Sequence, residues 1–155
     1  MAYEIEARTL EKHNVAAVRF RSKVADMGQH MGAAFGSVME YLTRNNIPPE
    51  GPAVSHYVPV AEGEFDVAAG FLVAGPIDGD GHVVPVELPA GEVAVTTHVG
   101  PYDDLPKAYE AIQAWISAEG REPDVAMWEE YVTGPETPPQ QTRTIIYWLL
   151  KPRDA

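Results

Sequence analysis

Residues 127–132 read MWEEYV, a pattern typical of a β-strand that carries two carboxylates among large aromatic side chains. Side chains alternate along a strand. The alternation places Met127, Glu129 and Tyr131 on one face and Trp128, Glu130 and Val132 on the other. Each face therefore holds one glutamate and one large aromatic residue, and alternation alone does not select the face that meets the core.

The two carboxylates leave two interpretations open. A glutamate that faced the helix layer would be buried without compensation, which costs free energy. In the first interpretation, one glutamate is solvated at a strand edge and the other pairs with Arg143 or Arg121. In the second, one carboxylate lies in a partly dry, aromatic-lined site, where an incoming cation or hydrogen-bond donor becomes its partner.

Composition limits the classes of function. The chain has 155 residues, a net charge of −12 and no cysteine. An acidic surface repels phosphate backbones, so we expect no direct binding to nucleic acid. No HExxH, Walker A or GxGxxG pattern occurs, so we expect no metal and no cofactor. The sequence shows neither a signal pattern nor an apolar run near the roughly 20 residues of a membrane span, which predicts a cytoplasmic protein without membrane association.

Two segments with helical periodicity separate the predicted strands. Apolar residues recur every three or four positions from residue 24 to 45 and again from about 103 to 118. Strands are predicted at 3–7, 15–20, 53–59, 65–74, 83–88, 93–99, 125–133 and 142–150. Because residues 11–14 read as a turn, the first two strands are expected to form a hairpin or one long bent strand.

The second half of the chain repeats the first. A shift of 74 residues places Phe35 on Tyr109, Val38 on Ile112, Tyr41 on Trp115, Leu42 on Ile116 and Tyr57 on Tyr131. Each half reads strand, helix, strand, strand, which indicates an internal duplication. We therefore predict an α+β fold over residues 1–155, a single domain of two repeats (about 1–76 and 82–152) with pseudo-twofold symmetry. Its antiparallel sheet should carry both helices on one side and a ligand cleft between the repeats.

Other aromatic residues are candidates for the same site. Tyr57 is the counterpart of Tyr131, and Phe71 and Trp148 occupy the last strand of each half. Aromatic faces bind cationic or planar ligands, which favours a role for these rings in binding. Tyr109 and Trp115 lie on the apolar stripe of the second helix, and we assign both to the core.

No complete catalytic motif is present. His98 ends a strand and leads through Gly100-Pro101-Tyr102 into the second helix, but no GxSxG pattern supplies a nucleophile for it. Catalysis, if present, would rest on a carboxylate and a tyrosine, for which Glu129 and Tyr131 are the pair on one face.

The order of several motifs resembles that of the GyrI-like small-molecule-binding domains. The motifs are Leu88-Pro89-Ala90-Gly91, His98 with Gly100-Pro101-Tyr102, the helix with Tyr109 and Trp115, Glu129-x-Tyr131, and Gly134-Pro135. These domains belong to the SOUL-type superfamily and also occur as effector-binding domains of multidrug-sensing transcription regulators. The resemblance covers nearly the whole chain.

The resemblance selects Glu129 as the buried glutamate. It implies an aromatic-walled cleft between the repeats that binds hydrophobic, often cationic, small molecules through Glu129 and its companion Tyr131. With the residues singled out above, the predicted ligand-binding set is Glu129, Tyr131, Tyr57, Met127, Phe71 and Trp148. Because no helix-turn-helix segment is attached, a standalone binding protein is expected, as a monomer or a homodimer. Some family members hydrolyse cyclopropanoid compounds with an acidic residue and a tyrosine, so a small hydrolase using Glu129 and Tyr131 is the alternative. A module that regulates a protein partner in trans is a further alternative.

Overall fold

A computed structural model describes residues 3–134 and 136–152 of the chain. In this part of the chain, eight strands and two α-helices follow one another. The strands are β1 (Glu6–Leu10), β2 (His13–Lys23), β3 (Ala53–Ala61), β4 (Glu64–Val73), β5 (Val84–Leu88), β6 (Gly91–Val99), β7 (Pro123–Tyr131) and β8 (Arg143–Leu150). The helices are α1 (Met27–Arg44), between β2 and β3, and α2 (Leu105–Ala118), between β6 and β7. Neither helix is long and apolar enough to cross a membrane.

The chain divides into two compact units. Unit B is the continuous segment Lys12–Pro89. Its strands form an antiparallel sheet in the order β3-β4-β2-β5, and α1 packs on β2 and β4. The helix buries Ala34, Val38, Tyr41 and Leu42, which belong to the C-terminal half of the stripe that the sequence predicts. Burial of such an apolar stripe supplies most of a helix's stability in a folded domain.

Unit A combines Met1–Glu11 with Ala90–Ala155. Its antiparallel sheet has the order β1-β6-β8-β7, and α2 packs on it. Ala108, Ile112 and Ile116 follow one another at four-residue spacing and are fully buried on one side of α2. They form a core cluster with Ala94, Ile146 and Leu150 of the sheet.

The strands β1 and β5 each lie next to one unit in the sequence but pair within the other unit. β1 directly precedes β2, yet it pairs with β6, from Glu6 opposite Val95 to Leu10 opposite Gly91. β5 directly precedes β6, yet it pairs with β2, from His13 opposite Leu88 to Ala17 opposite Val84. The expectation that the first two strands form a hairpin or one bent strand is therefore wrong. β1 and β2 are separate strands with different partners.

The predicted α+β class with an antiparallel sheet is confirmed. Each unit contains one strand-helix-strand-strand run, β2-α1-β3-β4 in unit B and β6-α2-β7-β8 in unit A. The two runs have the order that the duplication predicts, but the duplication itself and its boundaries at 1–76 and 82–152 stay predictions. The cleft between the repeats also stays a prediction.

Candidate ligand-binding site around Glu129

Strand register determines the face of the sheet on which Glu129 lies. Glu129 is directly opposite Ile146 on β8, and Ile146 belongs to the core cluster beneath α2. Residues directly opposite each other on paired strands share a face. Glu129 therefore lies on the face that α2 covers. Trp128 points to the other face, where its ring stacks on Tyr147 with centroids 5.6 Å apart.

Two tyrosine hydroxyls hold the carboxylate of Glu129. Tyr109, on α2, donates a hydrogen bond to Oε2, and Tyr131, two residues along β7, donates one to Oε1 over 2.8 Å. Glu129 is only 5% exposed. The expectation that a glutamate facing the helix would be buried without compensation is therefore wrong, because hydroxyls from the helix and from its own strand stabilise it.

Aromatic rings surround this carboxylate within unit A. Tyr109 packs edge-on against Trp148 of β8, with centroids 6.1 Å apart. The indole of Trp148 is fixed by a hydrogen bond of 2.8 Å from its Nε1 to the carbonyl of Asp124. Tyr102 packs edge-on against Tyr131, also at 6.1 Å. Two tyrosines thus hold the carboxylate, and a third tyrosine and a tryptophan pack against those two.

Tyr102 forms the exposed side of this aromatic group. It lies in the single turn of 3₁₀ helix (Tyr102–Asp104) that precedes α2, and it is 51% exposed, far more than the other three aromatic residues. Partial burial and the negative charge of Glu129 raise the pKa of the Tyr102 hydroxyl.

The structure brings together the predicted site residues that belong to unit A. Met127 is opposite Trp148 in the strand register and is half-buried on the same face as Glu129 and Tyr131. These four residues lie on β7 and β8. Whether they contact a ligand stays a prediction.

The other two predicted site residues belong to unit B. Tyr57 is buried on β3, where its hydroxyl accepts a hydrogen bond of 2.8 Å from Ser55 and lies 3.6 Å from the sulfur of Met31. Phe71 on β4 packs edge-on against Phe35 of α1 at 6.0 Å. This ring pair corresponds to Trp148 with Tyr109 in unit A, since each joins the last strand of a strand-helix-strand-strand run to the helix of that run. A role for Tyr57 and Phe71 in binding stays a prediction.

Sequence reasoning missed two residues of this group. Tyr109 was assigned to the core; its ring does pack there, but its hydroxyl binds Glu129. A tyrosine hydroxyl on a buried helix stripe requires a hydrogen-bond partner, and a buried carboxylate requires donors. Considering these two requirements together predicts the hydrogen bond between Tyr109 and Glu129. Tyr102 appeared only as part of a connecting turn, and no local pattern indicated its proximity to Tyr131.

The second glutamate of the segment has a different environment. Glu130 lies on the face of Trp128. Burial raises the pKa of Tyr147, and the negative charge of Glu130 raises it further. The predicted pairing of a glutamate in this segment with Arg121 is not seen, because Arg121 is itself buried and binds Glu92 over 2.6 Å.

His98 is a buried structural residue in this arrangement. Its Nε2 lies 3.0 Å from the carbonyl of Pro101, which can only accept, so Nε2 carries the hydrogen. Nδ1 then accepts from the hydroxyl of Tyr3 over 2.9 Å. Both ring nitrogens are occupied in fixing β6 and the turn that leads to Tyr102. Within residues 3–134 and 136–152, no group of three or more histidines and carboxylates is arranged to hold a metal ion.

Solved structures of several proteins share this fold. The C-terminal domain of EcmrR superposes with a TM-score of 0.78 at 18% identity, covering 97% of this chain and 99% of that domain. SAV2435, solved bound to tetraphenylphosphonium, gives 0.63 at 13% identity over 97% and 94% of the two chains. A hydrolase encoded by lin2189 from Listeria innocua gives 0.64 at 13% identity over 97% and 93%.

Sequence comparison identifies the family. No curated protein sequence matches the chain significantly. The profile of the GyrI-like small molecule binding domain matches residues 3–151, which is almost the full length. The chain therefore belongs to the family of GyrI-like small-molecule-binding domains.

Proposed function

We propose that the protein binds lipophilic cations and that the carboxylate of Glu129 is their counter-charge. The observation that supports this most directly is the pair of hydrogen bonds that Tyr109 and Tyr131 donate to a carboxylate that is only 5% exposed. These two donors are neutral hydroxyls. They orient the two oxygens and share in their stabilisation, and they bring no positive charge of their own.

A cation has a clear electrostatic gain at such a position. Two unit charges about 5 Å apart attract each other by roughly 3 kcal/mol at the effective dielectric constant of about 20 that suits partly buried sites. Removing the ligand from water offsets part of this gain. The carboxylate, by contrast, is desolvated and oriented when the chain folds, so binding bears little of that cost.

The aromatic rings favour a bulky organic cation over a metal ion. Each ring that offers a face to a cation contributes about 0.5–2 kcal/mol. Tyr102 is the exposed ring of the group, and Tyr109, Tyr131 and Trp148 are partly accessible. The described residues offer no cluster of metal ligands here. Tetraphenylphosphonium, the ligand in the SAV2435 structure, is a cation of this class.

A pair of ligands with the same shape and opposite charge tests the proposal. Binding of tetraphenylphosphonium and of tetraphenylborate is measured by quenching of tryptophan fluorescence and by calorimetry. Wild type should bind the cation and discriminate against the anion. Glu129→Gln keeps the size of the side chain and removes its charge, so the affinity for the cation should fall by about 10- to 100-fold, which corresponds to about 1.4–2.7 kcal/mol.

Glu130→Gln is the matched control. It makes the same change one residue away, on the opposite face of the same strand. This variant should bind the cation like wild type. Equal affinity of wild type and Glu129→Gln for tetraphenylphosphonium would remove the counter-charge role, and equal loss in both variants would show only an effect of net charge.

Hydrolysis is a second candidate function. The hydroxyl of Tyr131 lies 2.8 Å from Oε1 of Glu129, a distance suited to proton transfer between an acid and a base. The hydrolase from Listeria innocua has a similar fold. Turnover of a cyclopropanoid compound by wild type, abolished in Tyr131→Phe, would favour this function. Tight binding without turnover would exclude that substrate class.

A further inference from the structure

The two end strands of the units differ in how well their outer edges are protected. β5 carries Pro85 as its second residue, opposite Ala16 of β2, and proline removes a backbone N–H from the edge. β1 has no proline, no glycine and no bulge, and its register with β6 is continuous from Glu6 to Leu10. In the sheet that the described residues form, β1 is the terminal strand and β6 is its one neighbour. An unprotected edge of this kind is a template for a further strand.

The charges on β1 are complementary to those of a second β1. In antiparallel pairing centred on Ala7, Glu6 of each copy lies opposite Arg8 of the other. Pairing centred on Glu6 or on Arg8 would instead place identical charges directly opposite each other. One register is therefore favoured over its neighbours, as a specific contact requires.

The side chains that carry these charges are accessible. Glu6 is opposite Val95, and Val95 is opposite Tyr147, so Glu6 and Arg8 project on the side of the sheet away from α2. Their side chains are 62% and 50% exposed, and they contact each other within the chain. In a pair of strands, these two charges from each copy would form a square of four side chains in which acidic and basic residues alternate.

The net charge makes this patch distinctive. A chain with a charge of −12 repels its own copies over most of its surface. β1 carries one acidic and one basic residue and is locally neutral. We propose that two copies of this chain associate through antiparallel pairing of β1, centred on Ala7. The twofold axis is perpendicular to the joined sheets, so that both α2 helices lie on the same side.

A strand of five residues supports a weak dimer. Such a contact falls below the roughly 1,200 Å² of standard interfaces, so dissociation constants of about 10 μM to 1 mM are expected. Sedimentation velocity of the full chain over about a hundredfold range of concentration should show reversible dimerisation that weakens as salt is added.

Charge exchange tests the register. Glu6→Arg places arginine opposite arginine, and Arg8→Glu places glutamate opposite glutamate, so each variant alone should dimerise at least about tenfold more weakly. An equimolar mixture of the two variants restores both ion pairs and should form a heterodimer with near wild-type affinity. Both side chains are exposed, so the melting temperature of each variant should stay close to that of wild type.

Glu87→Arg on β5 is the control for net charge, because it makes the same substitution on the other end strand. It should dimerise like wild type. Wild type that stays monomeric at every concentration would overturn the proposal, as would a mixture of the two variants that fails to associate. Unchanged dimerisation of Glu6→Arg would refute this register. Binding of tetraphenylphosphonium is measured in parallel and should be equal in all variants, so the outcome is independent of the ligand site.

Discussion

Replacement of Tyr109 by phenylalanine isolates the hydrogen bond between α2 and Glu129. The change removes one hydroxyl and keeps the ring, so the edge-on contact with Trp148 persists. A hydrogen bond to a charged group contributes about 1.5–3 kcal/mol, and Glu129 is only 5% exposed. We expect the free energy of unfolding to fall by about 2 kcal/mol, measured by urea denaturation at neutral pH with tryptophan fluorescence as the signal.

Two further variants make this prediction specific. Tyr102→Phe removes a hydroxyl from a residue that is 51% exposed, and it should change stability by less than about 0.5 kcal/mol. In a Glu129→Gln background, Tyr109→Phe should cost about 1 kcal/mol less than in wild type, because the charged acceptor is gone. If Tyr109→Phe cost no more than Tyr102→Phe, or the same in both backgrounds, the carboxylate would not depend on this hydroxyl.

Two other predictions concern unit B. A methyl group on Gly70 would lie 1.8 Å from the carbonyl oxygen of Ala16. Gly70→Ala should therefore lower the free energy of unfolding by more than about 2 kcal/mol or prevent soluble expression. A methyl group on Gly28 would meet nothing within 4 Å, so the control Gly28→Ala should be neutral or stabilising. Burial, and to a smaller extent the charge of Arg19, lowers the pKa of His56 from its ordinary value of 6.5. The folded state therefore favours neutral His56, and the resulting contribution to stability is present above pH 6.5 and is lost as the pH falls through the lowered pKa. The free energy of unfolding, measured by urea titration between about pH 7 and pH 5, should therefore decline less steeply in His56→Gln than in wild type; an identical slope would contradict the assignment.

Sequence periodicity predicts the order of the helices and strands, but it does not predict which face of β7 is covered by α2. Alternation correctly separates Glu129 from Glu130, because that period is a local property of any strand. The choice of face depends on Ile146, which is opposite Glu129 in the register and beneath α2. A pairing between residues so far apart in the chain leaves no mark on the local pattern, so the face followed only from resemblance to the family.

The partners of Glu129 show a second limit of pattern reading. The helical stripe correctly placed the ring of Tyr109 against the core, since apolar periodicity reports which side of a helix is buried. It does not predict which group the hydroxyl of that ring contacts. The buried acceptor on β7 and the buried donor on α2 were each visible in the sequence, but their contact depends on how far α2 is shifted along the sheet.

The pairing of β1 was beyond local inference for a different reason. Its neighbour in sequence, β2, begins only three residues after Leu10, and neighbouring strands usually pair. At both ends of unit B the strands that are adjacent in sequence do not pair: β1 pairs with β6 instead of β2, and β5 pairs with β2 instead of β6.

The pairings of β1 and β5 also determine the order in which the two units can fold during synthesis on the ribosome. Unit B is one uninterrupted stretch, Lys12–Pro89, and every strand of its sheet is available once Pro89 has left the exit tunnel. β1 is synthesised before unit B, yet its partner β6 begins only at Gly91. β1 thus remains without its native partner until after unit B has been made, and the unit that holds Glu129 closes after unit B is complete.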